Sequence, residues 1–332
     1  MNTTINLPNI PNVPGLQYRG FRGEEDFPAM AEIWDQMRFA GLVEGSYTAE
    51  DLSVEFRHLY NCDPFQDIIF AEINGKAVAC ARSIWLQEGE RKIFYQYFHI
   101  NPEIQDLGID LPMQEWLENR QQEISRAIPG EDERVYVQHC AQHDARRVQV
   151  LESFGYSAVR WFFSMSRGLD DIPEAELPEG IIVRPAMPGE YHDVWAGANV
   201  AFSEHWGFSE PREEDYQSWR ESRWFQPTLW QVAWDGDKPI GQVENHIDSV
   251  ENEKLGRLRG YTEGISVLKP YRGKGIARAL IARSLRMLKV LNLQEAALTV
   301  DSDNATGALG LYESMGYRTY RTMVEYRKAL PG

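Results

Sequence analysis

Hydrophobic and polar residues follow the same order in two halves of the chain, and each half predicts the same succession of strands and helices. Each half begins with an extended segment and a helix-like segment, and continues with alternating strand patterns around a tight turn. Asn74-Gly75 and Asp235-Gly236 mark these turns, because such residues tolerate positive φ in a hairpin. A strand, a glycine-containing turn and a helix follow, and then a β-rich run, a short helix ending in Gly-Tyr and a last strand. The repeated order indicates a duplication.

An acidic segment separates the two halves. Residues 169–180 contain two prolines and no apolar periodicity, which is typical of a linker. We therefore predict an N-terminal lobe over residues 16–168 and a C-terminal lobe over residues 181–332. Residues 1–15 are polar and rich in proline and asparagine, and they predict a loose arm. Each lobe mixes strands with helices, so the predicted fold class is α/β.

Composition narrows the classes of protein that fit this pattern. Hydrophobic residues make up 43% of the 332 residues, too many for a disordered chain, and no apolar run approaches the roughly 20 residues of a membrane span. The first residues lack the order of a signal peptide. The cysteines Cys62, Cys80 and Cys140 form no CxxC pair, so we expect no disulfide framework, no metal site and a reducing cytoplasm. A formal net charge of −16 disfavours nucleic acid and anionic membranes as partners and favours cationic small molecules.

A basic, glycine-containing turn distinguishes the C-terminal half. The strand GISVL leads through Lys269-Pro270 into the segment Arg272-Gly-Lys-Gly-Ile-Ala277, where an amphipathic helix begins. Two glycines in a strand-to-helix turn let backbone N–H groups converge on one point, and the helix dipole with Arg272 and Lys274 attracts anions there. The spacing matches neither a Walker A turn nor a Rossmann fingerprint. Taken alone, the turn is also compatible with a purely geometric need for glycine.

A second segment follows the next strand. Asp301-Ser-Asp-Asn304 precedes a short helix that ends in Leu311-Tyr-Glu-Ser-Met-Gly-Tyr317. Together with the Arg-x-x-Gly-x-Ala turn, this segment resembles the GNAT family of acetyl-CoA-dependent N-acyltransferases. The resemblance extends over nearly the whole chain as a tandem repeat, similar to the mycothiol synthase-like acetyltransferases. It implies two tandem GNAT-like lobes, each with a mixed, mostly antiparallel central sheet flanked by helices.

The resemblance assigns acetyl-CoA to the C-terminal lobe. In this family the turn binds the pyrophosphate, the backbone of the preceding strand binds the acetyl carbonyl and the pantetheine arm, and the asparagine binds the CoA chain. The residues implied are Ile265, Ser266, Val267, Arg272, Gly273, Lys274, Gly275, Ile276, Ala277 and Asn304. Asn304 is equally compatible with a helix N-cap, which asparagine fills well. Pro270 lies one residue nearer to the arginine than the family pattern has it.

Two side chains are the candidates for catalysis. Tyr312 holds the family position of the acid that protonates the departing thiolate, and a phenol and a thiol have comparable pKa values. Glu263 precedes Val267 by four residues, so strict alternation places both side chains on one face, with Tyr261 two residues further back. The family takes its base from this strand, from either Glu263 or Tyr261. The alternatives are a Tyr312 that only packs and a Glu263 that is solvated or binds a cation without proton transfer.

The acceptor site is expected after the first helix of the C-terminal lobe. The segment AFSEHWGFSEP contains Glu204, His205 and Trp206, and an acid beside an aromatic ring suits an ammonium ion. Packing between lobes is the alternative for Trp206. We expect a small-molecule or peptide amine as acceptor, bound by these residues and Tyr261. The chain is expected to be a monomer with paired lobes or a homodimer.

The N-terminal lobe departs from the family pattern. Its turn reads Gln105-Asp-Leu-Gly-Ile-Asp110, which puts a carboxylate where phosphates would bind, and Leu151 stands in place of Tyr312. We therefore interpret this lobe as a structural partner that has lost the chemistry, with residual CoA binding as the alternative. The predicted function is acetyl transfer from acetyl-CoA to a primary amine by direct attack in a ternary complex. A non-catalytic acyl-CoA-binding module is the alternative, and transfer of a longer acyl group is a third reading.

Overall fold

The structure is a computed structural model that describes residues 4–304 and 306–331. The chain forms two compact units. Unit 1 is Met1–Arg160 with Met323–Gly332, and unit 2 is Trp161–Thr322. Each unit has its own group of paired strands, here called its sheet, and its own hydrophobic core, as expected for a duplicated α/β design.

The sheet of unit 1 is antiparallel except where β4 and β5 pair in parallel. Its strands, in spatial order, are β1 (Leu16–Gly20), β2 (Ile68–Ile73), β3 (Lys76–Glu88), β4 (Arg91–Ile100), β5 (Glu133–Ala141) and the end of β12 (Arg318–Ala329). Its helices are α1 (Phe27–Phe39), α2 (Ala49–Arg57), α3 (Pro64–Asp67), α4 (Asp110–Ala127) and α5 (Ala145–Ser153). Ile68 and Phe70 pack with α1, whereas Ile69 and Ala71 pack with α4, so β2 is buried on both faces.

The segment predicted to be a loose arm lies against unit 1. The Ile5 N–H donates to the Tyr18 carbonyl at 2.8 Å, and Thr4 forms an isolated bridge with Arg19. Ile5 and Leu7 pack against the core that contains Tyr18. Burial of these two alternate apolar side chains therefore holds the segment against unit 1. The polar composition of the segment hides this alternation in the sequence.

The sheet of unit 2 repeats this order. Its strands, in spatial order, are β6 (Ser157–Gly168), β11 (Glu295–Asp301), β10 (Arg259–Val267), β9 (Lys238–His246), β8 (Gln231–Asp235) and β7 (Ile181–Arg184). Its helices are α6 (Tyr191–Phe202), α7 (Glu213–Glu221), α8 (Ser249–Leu255), α9 (Ile276–Val290) and α10 (Ala308–Ser314). Strands β10 and β11 are parallel, and the other neighbouring pairs of this sheet are antiparallel.

The last strand of each sequence half completes the sheet of the other unit. In unit 2, β6 pairs with β11 in a register that runs from Phe162 opposite Asp301 to Gly168 opposite Glu295. In unit 1, the end of β12 pairs with β5, from Met323 opposite Ala141. The compact units therefore differ from lobes 16–168 and 181–332 by these two strands. Pairing between distant strands leaves no local signal in the sequence.

Local turn predictions agree with the structure at most positions. Asn74 and Gly75 have φ of +51° and +82° between β2 and β3, as a hairpin of this type requires. In the second hairpin β8 extends through Asp235, so the turn begins one residue later than predicted, at Gly236 with φ +57°. Gly155 and Gly316 have φ of +84° and +93° after α5 and α10, confirming their expected left-handed conformation.

Candidate active site

Strands β10 and β11 separate part-way along their length. They pair in parallel from Arg259 to Tyr261 on β10, and both strands continue beyond that point. There the Glu263 carboxylate accepts a hydrogen bond from the Thr299 backbone N–H at 3.0 Å. A side chain thus satisfies a backbone donor that a paired strand would otherwise satisfy. The separation opens a cavity within unit 2.

The cavity has a volume of about 510 Å³ and extends from the gap between β10 and β11 to the turn before α9. Its walls come from the end of α6, from both strands, from the turn and from α10. The predicted site residues that line it are His205, Trp206, Glu263, Ile265, Ser266, Val267, Arg272, Gly273, Gly275, Ile276, Ala277, Asn304 and Tyr312. Lys274, Glu204 and Tyr261 do not line it. Candidates for donor binding, acceptor binding and catalysis therefore meet at one cavity.

The turn before α9 has the conformation that its glycines allow. Gly273 and Gly275 have φ of +75° and +80°, and α9 begins at Ile276. The Ala279 N–H donates to the Gly275 carbonyl at 3.0 Å, so the N–H groups that precede it in the helix have no partner within the helix. A Cβ at either glycine would meet no atom within 4 Å, which shows that backbone conformation, not space, requires glycine. The turn presents backbone N–H groups and the helix dipole to the cavity.

Arg272 is engaged by protein acceptors. Its guanidinium donates to the Val267 carbonyl at 3.0 Å, to the Ala201 carbonyl at 2.9 Å and to the Glu204 carboxylate at 2.9 Å. Glu204 also accepts from Lys269 at 2.6 Å, and hydrogen bonds from Lys269 and then Arg272 lower its pKa. Arg272 therefore links the end of β10 to the end of α6 through hydrogen bonds. The Glu204 carboxylate binds the basic side chains of the turn and does not line the cavity.

Tyr312 lies on α10 with 6% of its surface exposed. Burial, the Glu263 carboxylate and Tyr317 together raise the pKa of Tyr312, so the phenol keeps its proton at neutral pH. Its ring meets that of Tyr317 edge to face at 6.2 Å. The Tyr317 hydroxyl in turn lies 2.8 Å from Thr262 Oγ1. A protonated phenol is thus held at the cavity wall by packing on one side.

The face occupied by Glu263 differs from the sequence prediction because β10 contains a bulge. Glu263 lies opposite Glu244 and Val267 lies opposite Gly241, and the register shifts between Glu263 and Ser266. Since Glu244 and Gly241 are three residues apart on β9, their partners face opposite sides of the sheet. The prediction of a shared face for Glu263 and Val267 is therefore wrong. Glu263 reaches the cavity through the gap toward β11.

His205 and Trp206 border the cavity just after α6. Burial and the Arg272 charge lower the pKa of His205, which leaves its imidazole neutral at physiological pH. Its ring meets the Phe202 ring edge to face at 4.8 Å. Trp206 is 37% exposed. An uncharged imidazole and an exposed indole offer an acceptor one polar and one aromatic surface.

Tyr261 belongs to a different cluster. Its ring stacks on His246 at 4.9 Å, and its hydroxyl donates to Glu251 at 2.5 Å and accepts from Arg257 at 2.9 Å. With 7% exposure it is enclosed by these partners. The structure thus separates Tyr261 from the cavity, although the resemblance had made Tyr261 an alternative to Glu263 as the base and a residue of the acceptor site.

Asn304 forms a local turn ahead of α10. Its side-chain oxygen accepts from the Thr306 N–H at 2.8 Å and from the Thr306 hydroxyl at 2.5 Å. The N-cap of α10 is Gly307, which provides no side-chain cap. The interpretation of Asn304 as a plain helix N-cap is therefore wrong, and its side chain shapes the polar rim of the cavity.

Several side chains that line the cavity were not predicted from the sequence, among them Phe162, Thr299 and Asp301. Phe162 comes from β6, and Thr299 and Asp301 come from β11. Phe162 belongs to the strand that is exchanged between sequence halves, so nothing near it in sequence points to the site. Asp301 carried a usable signal, because a polar residue at the carboxyl end of a strand beside a parallel neighbour commonly reaches a ligand.

Unit 1 fills the corresponding gap with side chains. Aligning the two turns places Gln96 at the position of Glu263 and Tyr97 at that of Gly264. The β3–β4 ladder runs without a register shift through both residues, since tyrosine does not favour the positive φ of Gly264. Gln96 accepts from Gln114 at 2.8 Å and from Gln138 at 3.0 Å within a buried network.

Charged side chains close the rest of that gap. Arg147, at the position of Ala308, donates to Gln138 at 2.6 Å and lies 3.9 Å over the Phe98 ring. Asp110, where unit 2 has Ala277, accepts from Arg146 at 2.7 Å. Unit 1 thus contains its own buried carboxylate and its own cation where unit 2 offers a glycine turn and open space.

Across residues 4–304 and 306–331, no three or more His, Cys, Asp or Glu side chains group together as metal ligands would. No helix within the same ranges combines the length and the apolar character needed to cross a bilayer.

A family model matches part of unit 2. Residues 192–317 match the sequence model of the "Acetyltransferase (GNAT) family". This segment includes the turn, β10, β11 and α10, which carry the cavity. The matched segment also contains every site residue predicted from the sequence.

Curated relatives share part of the chain. A mycothiol acetyltransferase of Pseudarthrobacter chlorophenolicus is 31% identical over 179 residues, which cover 52% of this chain and 54% of that protein. A mycothiol acetyltransferase of Geodermatophilus obscurus is 32% identical over 188 residues, or 54% and 59% of the two chains. The chain thus spans little more than half the length of the curated relatives it matches.

Solved structures extend the likeness to the whole fold. A GCN5-related N-acetyltransferase from Sphaerobacter thermophilus superposes with a TM-score of 0.72 at 24% identity and covers 98% of both chains. A tandem GNAT protein from the clavulanic acid biosynthesis pathway gives a TM-score of 0.66 at 12% identity, covering 96% of this chain and 99% of its own. The chain therefore has a tandem GNAT fold, as the repeat in its sequence predicted.

Proposed function

We propose that unit 2 transfers an acetyl group from acetyl-CoA to a primary amine of a small molecule or peptide, by direct attack in a ternary complex. One observation carries the proposal. A single cavity joins a glycine turn suited to phosphates, a buried phenol and a carboxylate in a gap between parallel strands. The match of residues 192–317 to the GNAT family model supports the same reaction class.

The donor would lie along the glycine turn and β10. Backbone N–H groups at residues 273–277 suit a pyrophosphate, because they precede the first intrahelical bond of α9. The open space beside Gly273 and Gly275 allows a ligand to approach the backbone closely. The bulge leaves Gly264 and Ile265 outside the paired register, which favours backbone contacts to the thioester carbonyl and the pantetheine arm. Asn304 supplies a polar group at the rim of the cavity.

The chemistry removes two protons from the ammonium nitrogen and delivers one to the sulfur. A bound alkyl ammonium must lose a proton before its nitrogen can attack the thioester carbon, and Glu263, a carboxylate that lines the cavity, would accept it. As the carbon–sulfur bond breaks, Tyr312 gives its proton to the departing sulfur. The nitrogen, now bonded to the acetyl carbon, gives its second proton to the phenolate, directly or through solvent, and Glu263 releases the proton it gained to solvent.

The two groups are coupled electrostatically. The Glu263 carboxylate is the second largest cause, after burial, of the raised pKa of Tyr312. When Glu263 takes the proton of the amine, its negative charge disappears and that contribution ends. Deprotonation of the nucleophile therefore makes Tyr312 a stronger acid at the moment when the thiolate leaves.

The acceptor would enter beside His205 and Trp206. These residues border the cavity on the α6 side, and the indole offers a face for an ammonium ion. Glu204 is not assigned to acceptor binding, because its carboxylate is paired with Arg272 and Lys269. We infer that unit 1, whose corresponding gap is filled by Gln96 and Arg147, provides no second donor site.

Free-thiol release from acetyl-CoA, measured across amines, amino sugars, polyamines and peptides, tests the proposal. Glu263→Gln preserves size but cannot accept a proton, so kcat/KM should fall most at low pH and recover partly at high pH, where more of the amine is already neutral. A rise in KM with unchanged kcat would instead make Glu263 a cation-binding group. Acetyl-CoA binding without thiol release from any amine would favour the non-catalytic acyl-CoA-binding module.

A further inference from the structure

Glu244 is a buried carboxyl group that the proposed reaction does not yet use. It lies on β9 directly opposite Glu263 of β10 in the antiparallel ladder. Side chains opposite each other in such a ladder share one face, with Cβ atoms about 5 Å apart. The sequence gives no hint of this pairing, because the two residues lie on strands separated by a helix and two loops.

Glu244 also contacts the bulge that carries Glu263. A Cβ built on Gly264 would lie 2.9 Å from Cδ of Glu244 and 3.0 Å from its Cγ. Gly264 has φ +57°, the conformation that permits the register shift. The Glu244 side chain and the Gly264 backbone are therefore packed against each other, and Gly264 itself lines the cavity.

Neutral donors hold the Glu244 carboxyl. The amide of Gln242 donates to its Oε1, and the side chain of Trp219 on α7 donates a second hydrogen bond. Burial raises the pKa of Glu244 to about 7, although both hydrogen bonds oppose that shift. A carboxyl group held by these neutral donors changes its charge near physiological pH.

The other titratable groups of the surrounding elements have different partners. On β9, burial lowers the pKa of His246 to about 4, so this imidazole is neutral throughout the neutral range. The β10 hydroxyl of Tyr261 is bonded to Glu251 and Arg257. On the neighbouring helices, Arg220 of α7 lies over the Phe225 ring, and His192 of α6 meets Glu213. The charge that changes opposite Glu263 is therefore that of Glu244.

We propose that Glu244 is a positioning residue for acetyl transfer, which supports the Gly264 bulge and sets the charge that faces Glu263. In its neutral form it leaves Glu263 a weak base. In its ionised form the like charge opposes the ionisation of Glu263 and thereby raises its basicity. The inference rests on the proposed function of unit 2, since it assigns Glu263 as the base.

Titration of the carboxyl group itself comes first, because it does not depend on activity. In protein labelled with ¹³C at glutamate Cδ, we expect one NMR signal that titrates near pH 7 and is missing from Glu244→Gln. Trp219→Phe removes a donor that lowers the pKa of Glu244, so the same signal should titrate at a higher pH. If Glu244→Gln loses no signal that titrates in this range, the charge assignment is overturned.

Kinetics with one fixed amine then test the link to Glu263. Glu244→Gln should lower kcat roughly tenfold at pH 8 and at most twofold at pH 6, with KM for acetyl-CoA unchanged. Trp219→Phe should move the ascending limb of the pH profile to higher pH without abolishing it. The exposed Glu253 on α8 provides a matched control, because Glu253→Gln removes the same charge away from the site and should leave the profile unchanged.

The outcomes separate this inference from the proposed function. A Glu244→Gln profile parallel to that of the wild-type chain, or equal losses at both pH values, would overturn the positioning role. If the wild-type chain transfers acetyl to no amine, the proposed function fails and the positioning role fails with it, whatever the titration shows. A titrating Glu244 with the expected pH-dependent loss supports both.

Discussion

Replacing Gly264 by alanine perturbs the bulge at the centre of the site. The new Cβ would lie 2.9, 3.0 and 3.2 Å from Cδ, Cγ and Cβ of Glu244, closer than carbon atoms approach without displacement. The residue also has φ +57°. A left-handed conformation costs a residue with a Cβ about 1–2 kcal/mol, and overpacking of this kind adds about 1–3 kcal/mol. The reduced entropy of the unfolded chain returns about 0.4–1 kcal/mol.

The expected net loss for Gly264→Ala is therefore about 1–5 kcal/mol in the free energy of unfolding. Gly256 offers a matched control, because it has φ +61° at the end of α8 and a Cβ there would meet no atom within 4 Å. Gly256→Ala retains the conformational cost without the contact, and should lose about 1 kcal/mol or less. The difference between the two variants measures the contact with Glu244.

Urea denaturation followed by tryptophan fluorescence provides the assay. Trp34, Trp85 and Trp116 belong to unit 1 and the other seven of the ten tryptophans to unit 2, so the signal reports mainly the unit that contains the change. In a Glu244→Ala background the Cγ and Cδ contacts are absent, and the loss caused by Gly264→Ala should shrink. Equal losses for Gly264→Ala and Gly256→Ala, or a loss that is unchanged without the Glu244 side chain, would refute the reasoning.

Three further outcomes follow from individual side chains. Tyr312→Phe should lower kcat roughly 100-fold with little change in acetyl-CoA affinity, if the phenol protonates the leaving thiolate; an unchanged kcat in steady-state assays would leave Tyr312 a packing role. Gly275→Glu should abolish acetyl-CoA binding in calorimetry, because it places a carboxylate at the phosphate turn on a residue whose φ is positive. The wild-type chain should show one tight acetyl-CoA site, and two equal sites would contradict the inference that unit 1 provides no donor site. Burial raises the pKa of Glu325, but bonding to His139 and the charges of His139 and Arg327 outweigh it, so the folded value is lowered. The stabilisation by the Glu325 carboxylate is therefore present above the ordinary carboxyl pKa and is lost as pH falls through the lowered value. Glu325→Gln should lower the free energy of unfolding by about 1–3 kcal/mol at pH 7 and by less near pH 3, measured from urea midpoints. An equal loss at both pH values would exclude this carboxylate as the source.

Some parts of the site follow from short stretches of sequence. The turn from Arg272 to Ala277 needs two residues with positive φ before a helix, and glycine at 273 and 275 meets that need through local sterics alone. The hairpin at Asn74-Gly75 and the left-handed Gly155 and Gly316 are local in the same sense. The repeated order of such signals was sufficient to predict two lobes of one design, and the tandem fold confirms it.

Other features depend on residues that are distant in sequence. Strand alternation assigned Glu263 to the face of Val267, but the bulge at Gly264 reverses that assignment, and the bulge is defined only by pairing with β9. The two sheets are completed by exchanged strands, β6 with β11 and β12 with β5. No local propensity distinguishes these partners from others, because strand pairing depends on long-range hydrogen bonds and on burial.

The roles of individual charged and polar groups were likewise decided by tertiary structure. The residue type of Arg272 suggested a phosphate ligand, but its guanidinium is occupied by Val267, Ala201 and Glu204. Tyr261 fitted the strand that carries the base, but packing against His246 and bonding to Glu251 remove it from the cavity. The sequence determined which chemical groups the chain carries and where turns form. Only the fold decided which of those groups meet, because desolvation and hydrogen bonding depend on neighbours that the chain order does not reveal.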